Sequence, residues 1–334
     1  MAAKTTVRFT PLSILKKEFT AVGLKAVDVV RSLPEWAEEA LAHPSGIHEV
    51  RGFVAKHYGL MVDADGTLRQ RMMPAARFKT RSGADVGLVA PARALATSVA
   101  HAVAAVTTVR WRGVLPSADT LRKQCITAGR TWVGLDELLE LCWGYGVPVI
   151  YLPMLPVNQS KMEGMVTFCG DRPVIVVTKK CSPAWMLFIL GHEMGHLALG
   201  HLDGGTIVDE TVVEGDIDDA QERDANHYAL RLLTGEARKA LSLARLLRAP
   251  SLVQSAITYG RQHHIDPGHV ILNAVRNTEI NGEQPWPLGN AALKLLNPDP
   301  DAVATRCRAF LREHVDMDQF SDDQFGFIER LGVI

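Results

Sequence analysis

Residues 182–201 read Ser182-Pro-Ala-Trp-Met-Leu-Phe-Ile-Leu-Gly-His192-Glu193-Met-Gly-His196-Leu-Ala-Leu-Gly-His201. Ser182 followed by Pro183 is a cap and first-turn signal, and the apolar run from Ala184 to Leu190 resumes at Leu197, so the pattern predicts a buried helix. Inside it lies His192-Glu193-Met194-Gly195-His196, an HExxH sequence. Positions i and i+4 of a helix lie one above the other, so both imidazoles reach one metal ion while Glu193 points beside it. That is the geometry of a zinc hydrolase. Gly191 and Gly195 each cost about 1 kcal/mol relative to alanine in a helix interior, which predicts that some backbone or ligand approaches closely there.

Catalytic zinc needs a third protein ligand and an open position for water. Residues 221–234 read as a second helix, apolar at Ala225, Tyr228, Ala229 and Leu232 and stopped at Thr234-Gly235. Glu222, near its start, can complete a His, His, Glu set, and Asn226 lies one turn later on the same side, where it can support a ligand by hydrogen bonding. On spacing alone Asp224 and His227 are rival third ligands, and His201, Asp209 and Glu210 are weaker ones.

His192 to His201 followed by Glu222-x-x-Ala225-Asn226-x-Tyr228-Ala229 resembles the ImmA/IrrE family of metallopeptidases, which pair HExxH with a later ExxAN-x-(aromatic)-A helix. The preceding stretch is similar too: a helix at Leu135 to Tyr145, then extended segments at Val147 to Leu152, Gly164 to Phe168 and Pro173 to Thr178. The resemblance spans about residues 120 to 235. It implies a zincin-like domain, with Zn2+ held by His192, His196 and Glu222 and with Glu193 as the general base. It also implies a narrow substrate class, a helix-turn-helix repressor whose cleavage relieves transcriptional repression. Tyr228 stands where the family usually has Phe. Glu193, one residue round the helix from His192, is poorly aimed for ligation but suited to take a proton from water and pass it to the leaving amine. Several Tyr, His and Arg residues could stabilise the oxyanion, and the sequence does not choose among them. A strand left at the sheet edge, either Gly164 to Phe168 or Pro173 to Thr178, would offer a substrate chain main-chain hydrogen bonds.

With 47% hydrophobic and 22% charged residues over 334 positions, the chain reads as a soluble globular protein with room for two cores. Its first eight residues have no long apolar core, so no secretory signal is expected. Cys125, Cys142, Cys169, Cys181 and Cys307 are odd in number and lack CxxC spacing, which argues against a disulfide framework or a cysteine zinc site and points to the cytoplasm. The net charge of −1 conceals an asymmetry: residues 1–130 carry +9 and the remainder −10. Basic residues gather at Arg69, Arg71, Arg77, Lys79 and Arg81, with no acid from Gly66 to Gly83. Such a stretch is compatible with a nucleic-acid contact or a solvated basic linker.

Leu12 to Val22, Lys25 to Ser32, Glu35 to Leu41 and Ile47 to Tyr58 read as short helices, broken at Gly23, Pro34, Pro44 and Gly59. This region resembles the Xre-type repressor domain in helix count and in its last helix. It lacks a polar recognition helix: Glu35, Glu38 and Glu39 would face phosphates. Duplex DNA and a protein partner are both expectations for it. Between Val86 and Val109 the chain is rich in Ala and Val, but Pro91, Arg93 and His101 argue against a membrane span, and the alternation from Ala92 to Thr108 predicts a helix packed on both sides. The acidic segment with Asp203, Asp209, Glu210, Glu214, Asp216, Asp218 and Asp219 lacks the EF-hand order and reads as a solvated loop at the cleft rim, suited to basic substrate segments. Further on, Ala237 to Arg248, Ser251 to His264, Pro267 to Asn277 and Ala302 to Val315 read as helices, and His263, His264 and His269 as surface or packing residues.

The expected architecture is α+β and mostly helical. A helical, possible helix-turn-helix domain covers 1–65, a basic and Ala/Val-rich connection 66–115, the metallopeptidase domain 116–240 and a helical extension 241–334. The expected function is a cytoplasmic zinc endopeptidase that cuts a specific transcriptional repressor. The alternative is a DNA-binding regulator whose metallopeptidase-like domain is a non-proteolytic sensor or dimerisation module. A purely structural zinc is disfavoured, because closed sites take four protein ligands and the count here stops at three.

Overall fold

The computed structural model describes residues 10–71, 86–156, 162–202, 206–209, 220–245 and 248–334. It is an α+β structure, mostly helical. Thr10 caps α1 (Pro11–Ala21) by accepting the Ser13 N–H, and Pro11 occupies the first turn, where its missing N–H costs nothing. Then come α2 (Ala26–Ser32), α3 (Trp36–Ala40) and α4 (Gly46–His57), all within a residue or two of the predicted spans. Their buried faces meet at Leu15, Phe19, Val29, Val50 and Val54. Arg51 of α4 is committed to α1, donating from Nε and Nη2 to the Glu18 carboxylate at 2.9 and 2.5 Å. A hairpin of β1 (Leu60–Val62) and β2 (Leu68–Gln70), not expected from the sequence, follows. The Ala/Val-rich stretch forms α5 (Val86–Val106), with Leu95, Ala96, Val99, Ala100 and Val103 buried as its alternation predicts.

The middle of the chain runs α6 (Ala118–Thr127), α7 (Leu135–Gly144), β3 (Val149–Tyr151), β4 (Gly164–Cys169), β5 (Arg172–Val177), α8 (Pro183–Ala198), β6 (Thr206–Asp209) and α9 (Ala220–Thr234). Its strands form one sheet in the order β3-β5-β4-β6, parallel between β3 and β5 and antiparallel elsewhere. Val174 to Val177 are all buried because the sheet is covered on both faces. Ile150, Met165, Val174 and Val176 join α5 and the amino-terminal helices in one core, while Val149, Tyr151, Val166, Ile175 and Val177 join α7, α8 and α9 in another.

Neither Gly164 to Phe168 nor Pro173 to Thr178 is an edge. Beside β4 the outer strand is β6, which falls within the segment expected to be an acidic loop. Thr206, Ile207 and Val208 are β-branched, and their preference for a pleated surface outweighs the acids around them. Asp203, Glu210, Glu214, Asp216, Asp218 and Asp219 lie outside the described residues, as do Arg77, Lys79 and Arg81.

The chain continues through α10 (Ala249–His263), α11 (Pro267–Arg276), α12 (Trp286–Leu296), α13 (Ala302–His314) and α14 (Asp322–Arg330). The helix expected from Ala237 to Arg248 does not form over the described part of that stretch. Its backbone finds partners on α11 and just beyond it: the Leu241 and Leu243 N–H groups donate to Asn273 Oδ1 and Thr278 Oγ1, and Asn273 Nδ2 donates to the Lys239 carbonyl. Those bonds replace the intrahelical ladder. Arg122 of α6 donates to the terminal carbonyls Leu233 and His264, both at 2.8 Å, and so ties together the ends of α9 and α10. Phe327, Ile328, Leu331, Val333 and Ile334 return to the core that holds Leu15 and Phe19. Among the described residues no helix is long and apolar enough to cross a membrane.

Candidate metal centre

Ser182 Oγ accepts the Trp185 N–H, Pro183 fills the first turn, and from Pro183 to Leu197 every side chain but that of Trp185 is buried. Helix α8 therefore holds its polar residues rigidly. A β-carbon on Gly195 would stand 3.0 Å from the Ala225 backbone, and one on Gly191 would stand 3.4 Å from Ala229 Cβ. The close approach predicted from these two glycines is thus made by α9, which presents Ala225 and Ala229 at the same four-residue spacing. Small residues on both helices let the backbones meet, and that contact brings Glu222, one turn before Ala225 and Asn226, over the HExxH face.

His192 Nε2 and His196 Nε2 lie 3.0 Å apart. The Glu222 carboxylate faces them both, with Oε2 3.4 Å from His192 Nε2 and Oε1 3.4 Å from His196 Nε2. Tetrahedral zinc with bonds of about 2.0–2.1 Å requires donors roughly 3.3 Å from one another, so the three atoms fit that ion. His192, His196 and Glu222 form the group among the described residues that could hold a metal. Burial of Glu222 raises its carboxyl pKa, but hydrogen bonds and charge from His192 and His196 outweigh this and hold it well below the usual carboxylate range.

The far nitrogens of both imidazoles are engaged. His192 Nδ1–H donates to Asn226 Oδ1 at 2.9 Å, which orients the ring so that Nε2 is the nitrogen a bound metal would meet. The position one turn after Glu222 thus performs the supporting task anticipated for it. His196 Nδ1 and His201 Nδ1 share a hydrogen bond at 2.9 Å, so His201 stands behind a candidate ligand and outside the candidate set. Asp224 is exposed and His227 half-buried, and neither joins the cluster. Asp209 pairs in backbone register with Gly164, and Glu210 lies outside the described residues. Tyr228 donates to the Pro116 carbonyl at 2.8 Å.

Glu193 is fully buried and turned toward β4. A β-carbon on Gly164 would sit 1.8 Å from Glu193 Oε1, so the carboxylate occupies space that only glycine leaves open. Reading the sequence did not assign Gly164 or His201 these positions. The available signals were a glycine opening a strand and a histidine just past the helix end, both too common to be specific. His269 is buried on α11 and stacks on Phe188 at 6.2 Å, the packing role expected of it.

No family model, curated protein or solved structure matches the chain.

Proposed function

We propose that this protein is a zinc-dependent endopeptidase. The observation that supports it best is the convergence of His192, His196 and Glu222 from two helices, with Glu193, the residue after His192, buried with its carboxylate against Gly164. Bound zinc would lower the pKa of water toward neutrality and polarise a scissile carbonyl. Glu193, not a member of the ligand set, takes the water proton and delivers it to the departing amine. Asn226 and His201 keep the imidazoles oriented. The similarity of the two motifs to ImmA/IrrE peptidases supports a helix-turn-helix repressor as substrate, and the basic residues 1–130 set against an acidic remainder favour choice of partner by charge.

The test joins metal analysis to proteolysis. Purified protein should carry about one zinc per chain; His192→Ala, His196→Ala and Glu222→Ala should each lose it, while Glu193→Gln keeps it. The wild type should cut a repressor encoded beside its own gene at one or two sites and casein poorly, and Glu193→Gln should cut neither. Full zinc occupancy in Glu222→Ala would move the third ligand elsewhere, and rapid casein digestion would overturn the narrow substrate class. Zinc bound without cleavage of any such repressor would favour the alternative, a regulator with a non-proteolytic sensor domain. Duplex DNA as its partner is tested by titrating the full-length protein at rising salt, where phosphate contacts give an affinity that falls steeply.

A further inference from the structure

A groove of about 650 Å³ runs between α1, α2 and α3. The half-buried side chains of Leu12, Val30, Leu33 and Leu41 wall it, and the last three also pack on the core that holds Leu15, Phe19 and Val29, which fixes their positions. That core takes the sheet face opposite to the one that meets α8, so the groove is separate from the metal centre. Helix α3 serves two sides. Trp36 packs edge-on against Phe53 of α4 at 5.8 Å, and Ala40 comes so close to Gly46 that a β-carbon there would stand 2.0 Å from the Ala40 carbonyl oxygen. Ala37, Glu38 and Leu41, at helical spacing on the other side, face the groove.

Glu35 and Glu38 are exposed at its rim and make no ion pair among the described residues. The positive excess of residues 1–130 lies elsewhere, since residues 32–50 hold Glu35, Glu38, Glu39 and Glu49 and no lysine or arginine. Glu35 precedes Glu38 and Glu39 by three and four residues, a like-charge spacing that weakens a helix, and a cationic partner relieves it. An apolar trough flanked by uncompensated carboxylates repels phosphate and suits a segment that is apolar on one side and cationic at its flanks.

We infer that this groove docks a basic amphipathic segment of a partner protein, whose apolar side chains lie against Leu12, Val30, Leu33 and Leu41 and whose lysines or arginines meet Glu35 and Glu38. The apolar walls supply affinity, and the rim acids choose the sign of the partner. Duplex DNA fits less well, because a recognition helix placed at α3 would bring phosphates to the same acids. This surface goes beyond the peptidase reading and does not depend on it.

The test is titration of the full-length protein with three synthetic peptides of equal length: leucine and lysine spaced to give one apolar helical face, the same composition with the leucines dispersed, and leucine with glutamate in the amphipathic order. The first should bind saturably and shift the methyl resonances of Leu12, Val30, Leu33 and Leu41, with the other two at least about tenfold weaker. Glu35→Lys/Glu38→Lys changes exposed side chains only; it should weaken the first peptide by about tenfold and flatten the fall of affinity with rising salt. Leu41→Ala should weaken it by about the same factor and keep the salt response. No saturable binding, methyl shifts elsewhere only, or unchanged affinity in the Glu35→Lys/Glu38→Lys variant would overturn the assignment. So would peptide binding that appears only once residues 1–9 are removed, which would give the groove to the chain's own amino terminus, or duplex DNA that shifts the same methyls.

Discussion

His192 and His269 are equally deprived of solvent, at 1% and 0% exposure, and Phe188 connects them: it stacks on His269 and precedes His192 by one helical turn. Their surroundings differ in every other respect. His192 has Nδ1 tied to Asn226 and Nε2 directed at His196 and Glu222. His269 has no hydrogen-bond partner for either ring nitrogen among the described residues, and burial pushes its pKa down to about 4. Burial therefore does not make a histidine a ligand. What distinguishes the candidate metal centre is that possible ligand atoms converge while the opposite ring atoms are held by partners.

The largest expected effect falls on the seat of Glu193. Gly164→Ala places a methyl where Glu193 Oε1 now lies, on a strand hydrogen-bonded at both sides, so the carboxylate must yield. Peptide cleavage should drop by about 10²–10⁴, the range of a lost general base, with zinc content unchanged. A full rate in this variant would break the link between Gly164 and the chemistry.

Next comes the other side of the comparison. An unfolded His269 titrates near 6.5 and the folded one near 4, so between those values acid favours the unfolded chain. The stability that goes with neutral His269 is complete above about pH 6.5 and is lost as pH falls toward 4, by about 3 kcal/mol. Asp266, at the cap of the same helix, is pushed up by burial to about 6, so its contribution runs the other way over the same interval. Urea midpoints of His269→Phe and wild type should therefore be compared as a difference. The difference should be flat above pH 7 and should grow in favour of the variant as pH falls to 4. A difference independent of pH would mean that His269 is charged or hydrated in the fold.

Smaller effects should separate the two supports. Asn226→Ala should lower zinc affinity by about 10–100-fold, read by competition with a chelator. His201→Ala should cost less, because His201 is only half-buried and water can take its place. The reverse order would make His196 the more dependent ligand. Smallest of all, Ser182→Ala removes the cap of α8 and should lower stability by about 1 kcal/mol without changing zinc content.

Much of this was legible in the chain. Helices α1 to α4 announced themselves through Pro, Gly and capping residues, and α8 and α9 through apolar periodicity, because those signals act within a few residues of where they are written. Gly191 and Gly195 even foretold a close approach, though not that Ala225 and Ala229 would make it. What stayed hidden was decided across the fold. Strand β6 exists because β4 offers an edge to Thr206 through Asp209, and the helical pattern after Ala237 yields to hydrogen bonds from Asn273 and Thr278. His57 gives no sign in sequence of the stack between Phe53 and Phe327, residues 274 positions apart in numbering.

The packing of residues 327–334 against Leu15 and Phe19 bears on the order of events during synthesis. A ribosome delivers α1 to α4 first, yet part of the apolar surface that covers them is translated some three hundred residues later. Closing so long a loop is slow, and until it closes the early helices carry exposed hydrophobic side chains. The nascent amino-terminal region is thus the stretch where a holding chaperone has most to protect, and it is released from that need only when α14 and the residues after it have left the exit tunnel.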